Sequence, residues 1–145
     1  MSTPRRFMLS CAMACLLLVG CTAPAPEQAL RVAMGELQAA IQARESAVFE
    51  DRLARDFIGP QGLDREGARR MAQALYLRHR DIGIIIGPIE VALQEQHATV
   101  RFDAVLTGGS GGLLPDSGRI YAVTTGWSME DNEWRMTSAQ WEPRL

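Results

Sequence analysis

The chain has 145 residues with 15 basic and 17 acidic side chains, a net charge of −2, and no lysine, so every strong cation is arginine. That length holds one domain with a proper core and not two ordinary ones. The missing lysine excludes Schiff-base chemistry, a lysine general base and a phosphate-loop lysine. Mild acidity without a basic stripe excludes a phosphate-tracking nucleic-acid surface. The nearest cationic cluster, Arg65, Arg69, Arg70, Arg78 and Arg80, is interrupted by acids and by an apolar helix face, and reads as solvated surface.

In chain order, the first element is a leader. Residues 1–6 are short and positive, and residues 7–19 form an apolar run of secretory-signal length, too short to span a bilayer comfortably. Cys11 and Cys15 lie inside that run and behave as small apolar residues. Leu18-Val19-Gly20-Cys21 then resembles the bacterial lipobox, the recognition site of lipoprotein signal peptidases. The resemblance implies cleavage before Cys21, diacylglycerol on its thiol and an acyl chain such as palmitate on the new amine. Several chains together anchor stably where one would be marginal. The mature chain then keeps Cys21 alone, which leaves no disulfide framework and no thiol nucleophile. Thr22 rather than Asp follows the cysteine, which in lipoproteins implies an outer-membrane address facing the periplasm. The expected organisation is a signal peptide over 1–20, a lipidated tether over 21–26 and a single domain over 27–145. The proline-containing tether spans only about 3.1 Å per residue, so the domain sits close to the membrane.

Leu30, Met34, Leu37, Ile41 and Val48 recur near one helical face, and Pro26 and Glu27 suit a first turn. This predicts a helix over residues 27–47, continuing after a bend through Leu53 and broken at Gly59-Pro60-Gln61-Gly62. Asp64 is placed to cap a second long helix with a stripe of Ala68, Met71, Ala72, Leu75 and His79, ending near Arg80. Residues 82–93 read as a strand kinked at Gly87-Pro88. Ala98, Val100, Phe102, Ala104 and Leu106 alternate with polar residues, as do Tyr121, Val123, Thr125 and Trp127. Asp131-Asn132-Glu133 is a hairpin turn before a closing strand over 134–141. Helices followed by strands on short turns give an α+β fold, with the helices packed on a curved antiparallel sheet of about four strands.

Over residues 29–142 this layout resembles the nuclear-transport-factor-two-like superfamily, the cystatin-like α+β cone shared with ketosteroid isomerase. The resemblance is carried by element order, by "LARDFIG" (53–59) after the first helix and by the closing "NEWRMTSAQWEP" (132–143). It implies a pocket between sheet and helices that different members use for catalysis, binding or dimerisation, and the fold alone does not choose among them.

Gly108-Gly109-Ser110-Gly111-Gly112 matches G-x-S-x-G, but Gly-Leu-Leu-Pro follows it and both histidines precede it, so it reads as a strand connection and not a nucleophile elbow. His79 and His97 fall on different elements without acids at ligand spacing, so no metal site is expected. Asp103 invites comparison with the Asp base of ketosteroid isomerase. Phe102 and Val100 set the inward phase, however, which turns Asp103 and Arg101 outward as an ordinary surface pair. No catalytic residue and no cofactor are assigned. Tyr121, Thr125, Trp127, Ser138 and Gln140 are the candidate pocket lining, because alternation puts their polar atoms on the inward face, where they need partners. The leading expectation is a non-catalytic, membrane-anchored domain binding a small apolar ligand or another envelope protein. An isomerase- or dehydratase-like enzyme in the same pocket and a structural homodimer through the open sheet face are the alternatives.

Overall fold

The computed structural model describes residues 25–108 and 120–144. The leader, Cys21 and Ser110 lie outside them. Helix α1 (Pro26–Ala43) starts with Pro26 in its first turn and Glu27 at the positive end of its dipole. It buries the stripe Leu30, Ala33, Met34, Leu37 and Ala40. It stops at Arg44, whose left-handed backbone (φ 61°) returns its N–H to the carbonyls of Ala40 and Ile41. The Arg44 guanidinium then donates to the carbonyls of Tyr76 and Arg80, at the negative end of the second long helix.

The expected continuation of this helix through Leu53 is corrected by the structure. A short helix α2 (Ser46–Asp51) follows Arg44, and Leu53 opens strand β1 (Leu53–Ile58), which runs parallel to the last strand of the chain with Leu53 opposite Met136. Leu53 and Phe57, both buried, are four residues apart, a spacing that suits one helical face as well as this irregular strand. A 3-10 turn (Pro60–Gly62) leads to helix α3 (Arg65–Arg78). The Asp64 carboxylate accepts the Gly67 N–H at 2.7 Å, the expected N-cap, and Ala68, Ala72 and Tyr76 face inward at helical spacing.

Residues 82–93 form two strands rather than one kinked strand. Strands β2 (Ile82–Ile86) and β3 (Glu90–Gln94) share one edge of β4 (His97–Gly108), with Ile86 opposite Ala104 and Glu90 opposite Arg101. Between them Gly87 donates to the Asp103 carbonyl at 2.8 Å, so close that an added Cβ would stand 3.3 Å from that oxygen. Strand β5 (Ile120–Glu130) pairs with β4 and with β6 (Glu133–Pro143). The β5–β6 connection is a tight turn in which Asp131 (φ 50°) and Asn132 (φ 63°) both take positive φ, matching the twist of the flanking strands. The sheet therefore has six strands rather than about four, in the order β1-β6-β5-β4-β2 with β3 also on β4, and it is mixed because β1 runs parallel to β6. The α+β layering of helices on one sheet face stands as expected.

One irregularity governs the inner face. Gly126 pairs with Ser138 and Trp127 with Met136, so Thr137 is an extra residue on β6, a β-bulge. Gly126 stands opposite it, where a Cβ would lie 2.6 Å from the Ser138 Oγ and would force that hydroxyl to turn aside. The core gathers Leu30, Met34, Leu37, Leu53, Phe57, Val100, Trp127, Trp134 and Met136. The Trp134 indole N–H donates to the Pro26 carbonyl at 3.1 Å, fixing the start of α1 to the start of β6.

Candidate functional site

Between the sheet and the helices lies a cavity of about 390 Å³. Its floor is the closed part of the core: Met34 from α1, Leu53 and Phe57 from β1, Trp127 from β5 and Met136 from β6. Phe102, Ala104 and Leu106 of β4 and Ile82, Ile84 and Ile86 of β2 make one wall, and Met71, Ala72 and Leu75 of α3 the other. Met71 and Trp141 also line it while remaining 40% and 41% exposed, so it reaches solvent between the middle of α3 and the end of β6. The size and apolar character are those of a small-molecule site.

Polar groups on this surface are few. Thr125 and Trp127 sit two residues apart on β5, pointing the same way. The Thr125 hydroxyl accepts the Trp127 indole N–H at 2.8 Å and itself lies 3.5 Å from the Val100 carbonyl, so this buried pair is satisfied within the protein. The Gln38 amide donates to the Ile84 carbonyl at 2.8 Å, tying α1 to β2. Tyr76 is different. Its ring lines the cavity, its hydroxyl is buried, and that hydroxyl has no hydrogen-bond partner among the described residues. Burial pushes the Tyr76 phenol above its ordinary value near 10, opposed by the nearby Arg44 guanidinium. His79, half-buried at the end of α3, and Tyr121 complete the polar lining. No Asp, Glu or Arg is among the lining residues described.

Of the five residues expected here, the structure brings Tyr121, Thr125 and Trp127 to the cavity and leaves Ser138 and Gln140 away from it. The reason is the bulge at Thr137. One extra residue reverses the side-chain phase of β6, so Ala139 and Trp141 face inward and Gln140 becomes exposed. His79, expected on the inward stripe of α3, does line the cavity, whereas Tyr76 was missed. Tyr76 stands four residues beyond Ala72 on the same helical face, a signal the sequence does carry. Asp103 faces outward as expected, but its partner is Arg144 at 2.7 Å rather than Arg101. The outer face it belongs to mixes Arg101, Asp103, Thr124 and Gln140 with one apolar row, Ile85–Val105–Ile120, aligned across three strands. His97 stands exposed at the start of β4, away from the lining residues. Among the described residues no group of three or more His, Cys, Asp or Glu is gathered, and no helix is long and apolar enough to cross a membrane.

No protein-family model and no curated protein matches this chain, but solved structures do. An NTF2-like protein of Cytophaga hutchinsonii is similar over 83% of this chain and 100% of its own length, with a TM-score of 0.70 and 14% identity. The fold is NTF2-like. A provisionally assigned dehydratase of the NTF2-like family from Streptomyces avermitilis is similar over 83% of this chain and 99% of its own, with a TM-score of 0.71 and 14% identity. Bd1075 of Bdellovibrio bacteriovorus matches 81% of this chain with a TM-score of 0.71 and 10% identity, and there the chain spans only 41% of the partner's length. At such identities the NTF2-like likeness concerns backbone architecture, and chemistry must be argued from side chains.

Proposed function

We propose that this chain is a lipid-anchored, periplasm-facing domain whose cavity binds a neutral, largely apolar small molecule without transforming it. One observation carries the reading: a cavity of about 390 Å³ whose described lining has no Asp, Glu or Arg. The described lining offers neither an acid–base carboxylate nor a strong cation, and a charged ligand moved among those residues would lose its hydration without a compensating partner from them. An apolar body gains instead about 25 cal/mol for each Å² it removes from water. The lipobox-like sequence around Cys21 supports the anchor.

The test is a thermal-shift screen of the mature chain against apolar metabolites, since a ligand that binds only the folded state raises its stability with concentration. Stabilisation by neutral apolar compounds, lost on Leu75→Arg with the fold intact by circular dichroism, is the expected result. No stabilisation by any such compound, or stabilisation by charged polar compounds only, overturns the reading. The anchor is checked separately by intact mass of the membrane fraction, where unlipidated wild-type protein and an unaltered Cys21→Ser mass would refute it.

A second reading, an isomerase- or dehydratase-type enzyme, is favoured by His79, which brings a titratable imidazole to the cavity alongside the phenols of Tyr76 and Tyr121. It requires that His79→Gln abolish turnover of a compound that still binds.

A further inference from the structure

The cavity has a closed end and an open one, and α1 begins at the closed end. Along β6, Trp134 is 2% exposed, Met136 and Ala139 are 7%, and Trp141 is 41%; along β5, Trp127 and Thr125 are sealed while Val123 and Tyr121 are half-buried. The inner face is therefore sealed from Trp134 and Trp127 as far as Ala139 and Thr125, and it opens at Trp141, Val123 and Tyr121. The start of α1 is held at that sealed end by the Trp134 indole on the Pro26 carbonyl. The turn between β3 and β4 lies at the same end, because the Met129 N–H donates to the Gln96 carbonyl at 2.8 Å and Met129 pairs with Trp134.

From this we infer that the cavity mouth faces away from the membrane that carries the chain, so that its occupant is exchanged with the aqueous side and not drawn directly from the bilayer beneath. The inference rests on the lipid anchor at Cys21 proposed above. Seven residue steps along β6 lead from Trp134 to the mouth residue Trp141, about 20 Å once the bulge is allowed for. Helix α1, of 18 residues, extends about 27 Å in the same molecule. Five residue steps join Cys21 to Pro26, and even fully extended they reach about 17 Å. To lay the mouth on the bilayer, the tether would have to reverse at Pro26 and run back along a body longer than itself.

The experiment uses the lipidated chain in vesicles of phosphatidylethanolamine and phosphatidylglycerol whose headgroups carry an energy-transfer acceptor. Cys21 is the only cysteine after residue 20 and its thiol carries lipid, so one added cysteine is a unique labelling site. Gln96→Cys marks the sealed end and Glu142→Cys the mouth; both positions are exposed and neither lines the cavity. The expected result is stronger transfer from residue 96 than from residue 142, with that difference lost when a long Gly/Ser segment is inserted between Pro24 and Ala25. Equal transfer, or stronger transfer from residue 142, in protein that still floats with the vesicles overturns the orientation and leaves the anchor standing. Failure of the unlabelled wild-type chain to float with the vesicles overturns the anchor, and the orientation with it.

Discussion

Trp134 and Trp141 occupy the two ends of one strand. Trp134 is sealed in the core and gives its indole N–H to the first turn of α1, whereas Trp141 forms part of the cavity wall and is two-fifths exposed. In a regular strand residues seven apart point to opposite faces. These two share the inner face because Thr137 is an extra residue between them. The difference between them is the difference between a core that is closed and one left unfilled. At one end the buried indole N–H groups of Trp127 and Trp134 both have partners within the protein. At the other the wall is apolar, open to solvent and occupied by nothing from the described chain.

The sharpest way to break this comparison is to remove each indole in turn. Trp134→Ala empties a packed site and frees the start of α1, with an expected cost of about 3–5 kcal/mol in denaturant unfolding. Trp141→Ala, at the open end, is expected to cost about 1 kcal/mol and to act on ligand affinity instead. Equal losses would mean that the two ends are equally packed.

A smaller effect tests the bulge that joins them. Gly126→Val places a side chain where the Ser138 Oγ stands, and is expected to cost about 1–3 kcal/mol in denaturant unfolding through displacement of β6. Gln140→Leu on the outer face is expected to leave ligand affinity unchanged, and a clear loss in a binding titration would show that β6 follows the unbulged phase.

The smallest effect concerns Tyr76. Its hydroxyl is buried without a partner among the described residues, so Tyr76→Phe is expected to raise stability by about 1 kcal/mol in ligand-free protein. The folded state holds the phenol proton more tightly than the unfolded chain does. Its contribution is therefore complete below the unfolded value near 10 and is lost as the pH rises through the higher folded value. Unfolding followed across that alkaline range should show a steeper fall for wild type than for Tyr76→Phe.

What could be read from the residues alone follows from period and chemistry. The stripes of α1 and α3, the Asp64 cap, the alternation of β4 and β5 and the outward turn of Asp103 are local patterns, and each recurs in the structure. Strand β1 was illegible because Leu53 and Phe57 satisfy a helical spacing, and only pairing with β6, some eighty residues later, selects the strand. The phase of Ser138 and Gln140 was illegible for a related reason. A bulge is set by how two strands pair, here where the register shifts between Gly126 and Trp127, and no alternation pattern within β6 alone discloses it. The burial of Tyr76 likewise depends on tertiary packing, since it clusters with Ile82 of β2, Ile41 of α1 and Phe49 of α2.

The division of β2 from β3 has a consequence for what that edge of the sheet offers to another strand. An uninterrupted edge strand beside β4 would offer a long row of unpaired N–H and C=O groups, a template for adding another chain. Here that edge is cut into two five-residue pieces with Pro88, which has no N–H to give, between them. The intervening Gly87 N–H is turned inward onto Asp103. An incoming strand could pair with one piece or the other but could not run in register along both, so the break between β2 and β3 blunts the growth of a fibril from this edge.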